Sequence, residues 1–304
     1  MQEFFQQIVN GLALGGIYAL IALGYTMVYG VLRLINFAHG DVYMFGAFAG
    51  LYASRWLRIA DERLQMTAGG MLAVIAISMA ACAVLGVLIE RAAYRPLRNA
   101  PRLTALITAI GVSFLLENGG QLVFGASPQV FPQLAGADRS LINVAGVVVS
   151  GQDVIILSVC VLLLLTLEFI VKRTKAGKAM RAVAQDRETA SLMGINVDNI
   201  ISLTFVIGSA FAGAAGVLVA MRDPSIDPLM GLLPGIWAFV AAVLGGIGSV
   251  PGAMLGGFLI GIAKVMVIGY WRSTLADAIV FGLLILVLLV RPTGLLGRGM
   301  VEKA

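Results

Sequence analysis

Charge is scarce in this 304-residue chain: Asp, Glu, Lys and Arg make up 12% of it while 60% is hydrophobic, against about a quarter charged in soluble globular proteins. So little polar surface cannot cover a fold in water, and the chain takes a lipid bilayer as its solvent. Histidine occurs once, as His39, and cysteine twice, as Cys82 and Cys160. Two thiols inside apolar runs make neither a disulfide framework nor a zinc pattern, so they are expected to pack as small hydrophobes. One histidine with Asp41 two residues on is too small a ligand set for a metal. A phosphate-binding loop needs G-x-x-x-x-G-K-[ST]. RTKAGKAM (173–180) has a Gly-Lys but lacks the earlier glycine and the following hydroxyl. If ATP drives this protein, another chain hydrolyses it. Residues 1–7 carry no basic side chain ahead of the first apolar run, so that run reads as a retained span, not a cleaved signal.

What the chain has is apolar length. Segments fall near 8–31, 37–57, 67–89, 104–124, 153–171, 200–221, 232–249, 252–270 and 275–290. At about 20 residues per crossing they predict an all-α polytopic transmembrane bundle. The best count is about nine spans, within a range of eight to ten. LGGIGSVPGAMLGG (244–257) interrupts one pair, predicting a broken or re-entrant helix there, because irregular backbone at membrane depth must be covered by protein or a water-filled cavity. Basic residues set the orientation. Arg91, Arg95, Arg98 and Arg102 follow the third span. Lys172, Arg173, Lys175, Lys178, Arg181 and Arg187 follow the fifth, and Arg291, Arg298 and Lys303 follow the last. All three groups are assigned to the cytoplasm, with the N-terminus outside and the C-terminus inside. The loop 58–66 then faces outward with Arg58 and Arg63 offset by Asp61 and Glu62, as does 125–151 with its GADRS stretch (136–140). Residues 1–304 read as one transmembrane domain with a cytoplasmic loop at 173–199, and nothing suggests nucleic-acid binding. Glycine is abundant, at 37 residues. Small residues recur four apart at Gly11 and Gly15, Gly46 and Gly50, Ser209 and Gly213, Gly252 and Gly256, and Gly257 and Gly261. In membrane helices that spacing lets backbones approach closely.

Ionisable residues inside spans are costly and mark functional candidates. Here they are Asp41, Glu117, Glu168 and Lys264, with Glu90 and Arg91 at a span end. Glu168 is placed to pair with nearby basic residues, and Glu117 with Lys264 is the plain structural pairing. NFAHGD (36–41) gathers an amide, an imidazole and a carboxylate at the start of the second span. Asn36 as helix cap and Asp41 at the positive helix end are the structural reading, and a substrate contact is the alternative. Acyl transfer from His39 would need a serine and an oxyanion hole, leaving only distant serines such as Ser78 or Ser113. In the loop, apolar Ala179, Met180, Val183, Ala184, Leu192 and Met193 alternate with Lys178, Arg181, Gln185, Asp186, Arg187 and Glu188. That pattern predicts one short amphipathic helix ending at Gly194, suited either to the membrane surface or to a partner's groove.

INFAHGDVYMFGAF (35–48), AYRPLR (93–98), GKAMRAVAQDRETASLMGIN (177–196), AAVLGGIGSVPGAMLGG (241–257) and RPTGLLG (291–297) resemble the permease subunits of bacterial high-affinity branched-chain amino acid ABC importers. The resemblance covers nearly the whole chain and is strongest to the first of the two permeases such systems pair. It implies transport, not catalysis, in a bacterial inner membrane. The implied partners are a second permease, two cytoplasmic ATPases that carry the ATP and magnesium, and a periplasmic binding protein delivering leucine, isoleucine or valine. This chain itself would bind no cofactor. It also implies an ATPase-docking helix at Gly177, Lys178, Arg181, Ala184, Asp186, Leu192 and Gly194. Asn36, His39, Asp41, Gly245, Gly246 and Gly248 are the candidate path-lining positions. A stand-alone secondary transporter or channel for a small apolar solute is the alternative, and neighbouring genes would discriminate the two.

Overall fold

The computed structural model describes residues 2–60, 65–98, 100–135, 140–144 and 146–297. Asp61, Glu62, Arg63, most of the 136–140 stretch, Arg298 and Lys303 lie outside the described residues. The helices are α1 (Gln2–Leu32), α2 (His39–Trp56), α3 (Ala68–Ile89), α4 (Arg102–Phe124), α5 (Gly151–Arg173), α6 (Lys175–Gln185), α7 (Arg187–Leu192), α8 (Val197–Arg222), α9 (Leu232–Gly245), α10 (Val250–Tyr270) and α11 (Ala276–Val290). A π-helical turn, Glu90–Tyr94, prolongs α3. Hydroxyl and amide side chains set many of the starts. Thr67, Ser150, Thr174, Asn196 and Ser249 each accept a hydrogen bond from the amide three residues on, so a first-turn donor is not left unpaired.

Among the described residues, seven helices are long and apolar enough to cross a membrane: α1, α3, α4, α5, α8, α10 and α11. The expected nine is reached only by adding α2 and α9. α9 has 14 residues, about 21 Å of helix against a hydrocarbon core of about 30 Å. The predicted interruption is present: α9 stops at Gly245 and α10 begins at Val250. Between them Gly246 and Gly248 take φ of +107° and +89°, which glycine adopts without a Cβ clash. Pro251 falls in the first turn of α10, where its missing amide would have had no helical partner anyway.

α1 runs through the middle of the bundle, almost wholly buried. It crosses α10 at glycines: a Cβ on Gly15 would lie 2.8 Å from the Cα of Phe258, and one on Gly257 or Gly261 would strike the backbone of Ala19 or Gly15. Gly46 of α2 meets Gly213 of α8, and Ser78 of α3 ties both by donating to their carbonyls at 2.7 and 2.9 Å. Gly256 of α10 packs on Ala241 of α9. The small-residue pairs therefore mark real close crossings. Both cysteines are free and buried, and Cys82 donates to the Val42 carbonyl.

The two ends of the bundle differ in charge. At one, Gln65–Met66 pairs with Gln133–Leu134 and Gln129–Val130 with Ser225–Ile226, while Gln6 reaches Val148. At the other, Arg95 and Arg98 hold Asp198, Arg187 reaches the end of α1, and residues 295–296 bond to Leu244 and Gly245. The described members of the three basic groups thus share one end, which the positive-inside rule assigns to the cytoplasm.

Candidate functional site

The site is built where α2 begins. Past Leu32 the chain turns through Arg33 at φ 56° and doubles back along α1, so that the His39 ring packs into the space left by Gly24. Gly24 lies more than two turns before α1 ends, so α2 starts about 12 Å inside the bundle. Its capping residue is Ala38, with no side-chain bond to the helix. Asn36 is therefore not the cap: its Oδ1 accepts from the Tyr94 hydroxyl at 2.9 Å, fully buried. The Tyr94 side chain comes from the π-helical turn, so that turn is what brings a donor to Asn36. His39 is buried, stands edge-on to Tyr25 with ring centroids 4.9 Å apart, and its Nε2 has no hydrogen-bond partner among the described residues. Neither Ser78 nor Ser113 bonds to it. Ser78 is committed to carbonyls, and Ser113 donates to Asp41 at 2.5 Å.

α9 begins at the same depth. Gly231 and Gly235 abut Gly40, with a Cβ on Gly235 falling 3.0 Å from the Gly40 Cα. The amino-terminal ends of α2 and α9 thus face one another inside the bundle, and larger residues would hold them apart. Beside them opens a cavity of about 420 Å³ lined by α2, α4, α9 and α11, with Tyr25 of α1. Its walls are mainly apolar, with Phe37, Phe114, Ile236, Phe239 and Phe281 among them. Asp41 and Glu117 are its acidic residues, and Ser113 and Tyr25 its hydroxyl-bearing ones. Ile110, Ser113, Phe114 and Glu117 reach it together because residues three and four apart share a helix face. Of the sequence candidates, Asp41 lines this cavity, and Asn36 and His39 are buried next to it. Gly245, Gly246 and Gly248 lie a helix-length away at the basic end, where Gly246 packs on residues 294–297 and Gly248 faces Gly30.

Lys264 and Glu117 do not pair. Lys264 lies over the Trp237 ring and 3.8 Å from Asp277 on α11. The pairing arises because α11 folds back on α10. Glu168 pairs with Lys172 one turn on, as expected.

The 173–199 loop is two helices, not one. α6 lies with Met180 and Val183 buried and Gly177 pressed on the last carbonyls of α5, which Arg181 also reaches by donating to Val171. Asp186 then breaks the helix in extended conformation (φ −154°) and caps α7 by accepting from the Thr189 amide at 3.0 Å. Gly194, at φ +82°, closes α7 as predicted, with Ile195 donating back to the Ala190 carbonyl. Lys178 is exposed on α6 and Ala184 is half-buried. Leu192 and Met193 are 87% and 79% exposed, an apolar tip on an otherwise charged surface. Arg187 donates to the carbonyls of Val31 (3.1 Å) and Leu32 (2.7 Å), fastening α7 to the end of α1. Burial, and then the positive neighbours Arg98 and Arg33, lower Arg187 below the usual arginine range. Nearby, the fully buried Glu90 accepts from Arg98 and from Ser202.

Comparison with known proteins identifies the family. Residues 7–289 match the family model described as branched-chain amino acid transport system / permease component. The high-affinity branched-chain amino acid transport system permease protein BraD of Pseudomonas aeruginosa is 47% identical over 99% of this chain and 98% of its own length. The corresponding LivH of Escherichia coli is 46% identical over 99% and 97%. A probable LivH of Methanocaldococcus jannaschii is 28% identical over 91% and 88%. The chain is a multi-pass membrane permease, and it belongs to the permease-component family of branched-chain amino acid transport systems.

Proposed function

We propose that this chain is one of two different permeases in an ATP-driven importer that moves leucine, isoleucine and valine across a bacterial inner membrane. The observation that carries the proposal is the end-to-end similarity to relatives described as high-affinity branched-chain amino acid transport system permease proteins. A periplasmic binding protein delivers the amino acid, and two cytoplasmic ATPases, holding ATP and magnesium, drive alternating access. The chain itself needs no cofactor for this. The 173–199 segment is the ATPase-docking element. Its exposed Leu192–Met193 tip supplies apolar contact, and its fastening to α1 and α5 carries the motion inward. Asn36, His39 and Asp41 shape the path at mid-depth, and the Gly245, Gly246 and Gly248 turn shapes it at the cytoplasmic end.

Uptake of labelled leucine into membrane vesicles tests this. Import is expected only when this chain is co-expressed with a second permease, the ATPases and the binding protein, and only with ATP supplied. Uptake by this chain alone, driven by an ion gradient, would instead establish the stand-alone transporter.

A further inference from the structure

The path described above assigns no group to the charged ends of the substrate. We infer that Asp41, Ser113 and Glu117 form a subsite for the α-ammonium group of the amino acid in transit, a reading that rests on the proposed transport function. Three observations carry it. Glu117 is 8% exposed and has no hydrogen-bond or ion-pair partner among the described residues, yet it lines the cavity. A carboxylate held unpaired at this depth is costly, and the cost is met if a cation visits. Asp41, 2% exposed, lines the same cavity, steadied by the Ser113 hydroxyl. The volume, about 420 Å³, falls within the usual small-ligand range of about 300–1,000 Å³, and apart from Tyr25 the remaining side chains of its walls are apolar, as an aliphatic side chain requires. Lys264, the buried cation elsewhere in the bundle, is held by Trp237 and Asp277 and leaves these acids unneutralised. α4 and α11, which wall the cavity on one side, keep most of their surface exposed.

The assembled complex tests this in vesicles, by two readouts. First, Glu117→Gln and Asp41→Asn are expected to lower the maximal rate of leucine uptake by about tenfold or more, as loss of a charge-assisted hydrogen bond implies. The concentration for half-maximal uptake, set by the binding protein, stays unchanged, and Glu117→Asp restores part of the rate. Second, Ile236→Cys, on the cavity wall, is expected to react faster with a cationic than with an anionic methanethiosulfonate reagent. That preference should collapse when Glu117→Gln is added. Full uptake by both neutralised variants at normal abundance would overturn the subsite while leaving the importer standing. So would a cysteine that shows no cation preference or no reaction at all. A wild-type complex that imports no leucine would remove the transport reading itself.

Discussion

Tyr94 and Asn36 lie 58 residues apart and share one buried hydrogen bond. Replacing Tyr94 by Phe keeps the ring that packs on Phe205 but leaves the Asn36 oxygen without a donor. A loss of about 1–3 kcal/mol is expected, read as a lower unfolding temperature of the purified protein in detergent. Leucine at Asn36 would instead orphan the tyrosine hydroxyl, so a transport defect there must be judged against the stability of both variants. The residue types in 36–41 were legible as unusual for an apolar chain, and Glu117 was legible as a deep carboxylate. Their partners were not. Ser113 reaches Asp41 across 72 positions and Arg98 reaches Asp198 across 100, and no local period encodes a pairing made by the crossing of two helices. The Glu117–Lys264 pairing failed for the same reason: Asp277 offered a nearer carboxylate from an element whose position only the fold decides.

At the scale of elements, the sequence was most informative where a physical signal is local. Apolar runs located the helices to within a few residues, and the glycines of 244–257 marked a true interruption. The single helix foreseen for the 173–199 loop came from apolar spacing that continues through Asp186. The capping preference of that aspartate wins over the continuing stripe, because its carboxylate serves the Thr189 amide better outside a helix than inside one. Asp186→Ala is therefore expected to cost α7 about 1 kcal/mol, visible as faster amide exchange over 187–193. Transport should fall with it if α7 is the docking element. Leu192→Glu should leave exchange and unfolding temperature unchanged, since that side chain touches little, yet uncouple ATP hydrolysis from uptake. Equal coupling in both variants would move the docking surface elsewhere.

Across the whole molecule, the glycines divide into those a neighbour has closed upon and those facing open space. Gly261→Val would drive a branched side chain into the backbone of α1, and a loss of about 1–3 kcal/mol or failure to assemble is expected. Gly111→Ala, with nothing within 4 Å, should be tolerated or slightly stabilising. Comparing the two by thermal unfolding separates packing from composition. The grip of Arg187 on α1 has a mechanical consequence. The last carbonyls of a helix are the ones its own ladder leaves free, and here a surface helix holds two of them. Any tug on α7 must either tear that grip or drag α1 along its axis. Since α1 is wedged glycine-to-backbone against α10, it behaves as a pushrod threaded through the bundle. Work done at the basic end can then be delivered some tens of ångströms away without any side chain having to swing.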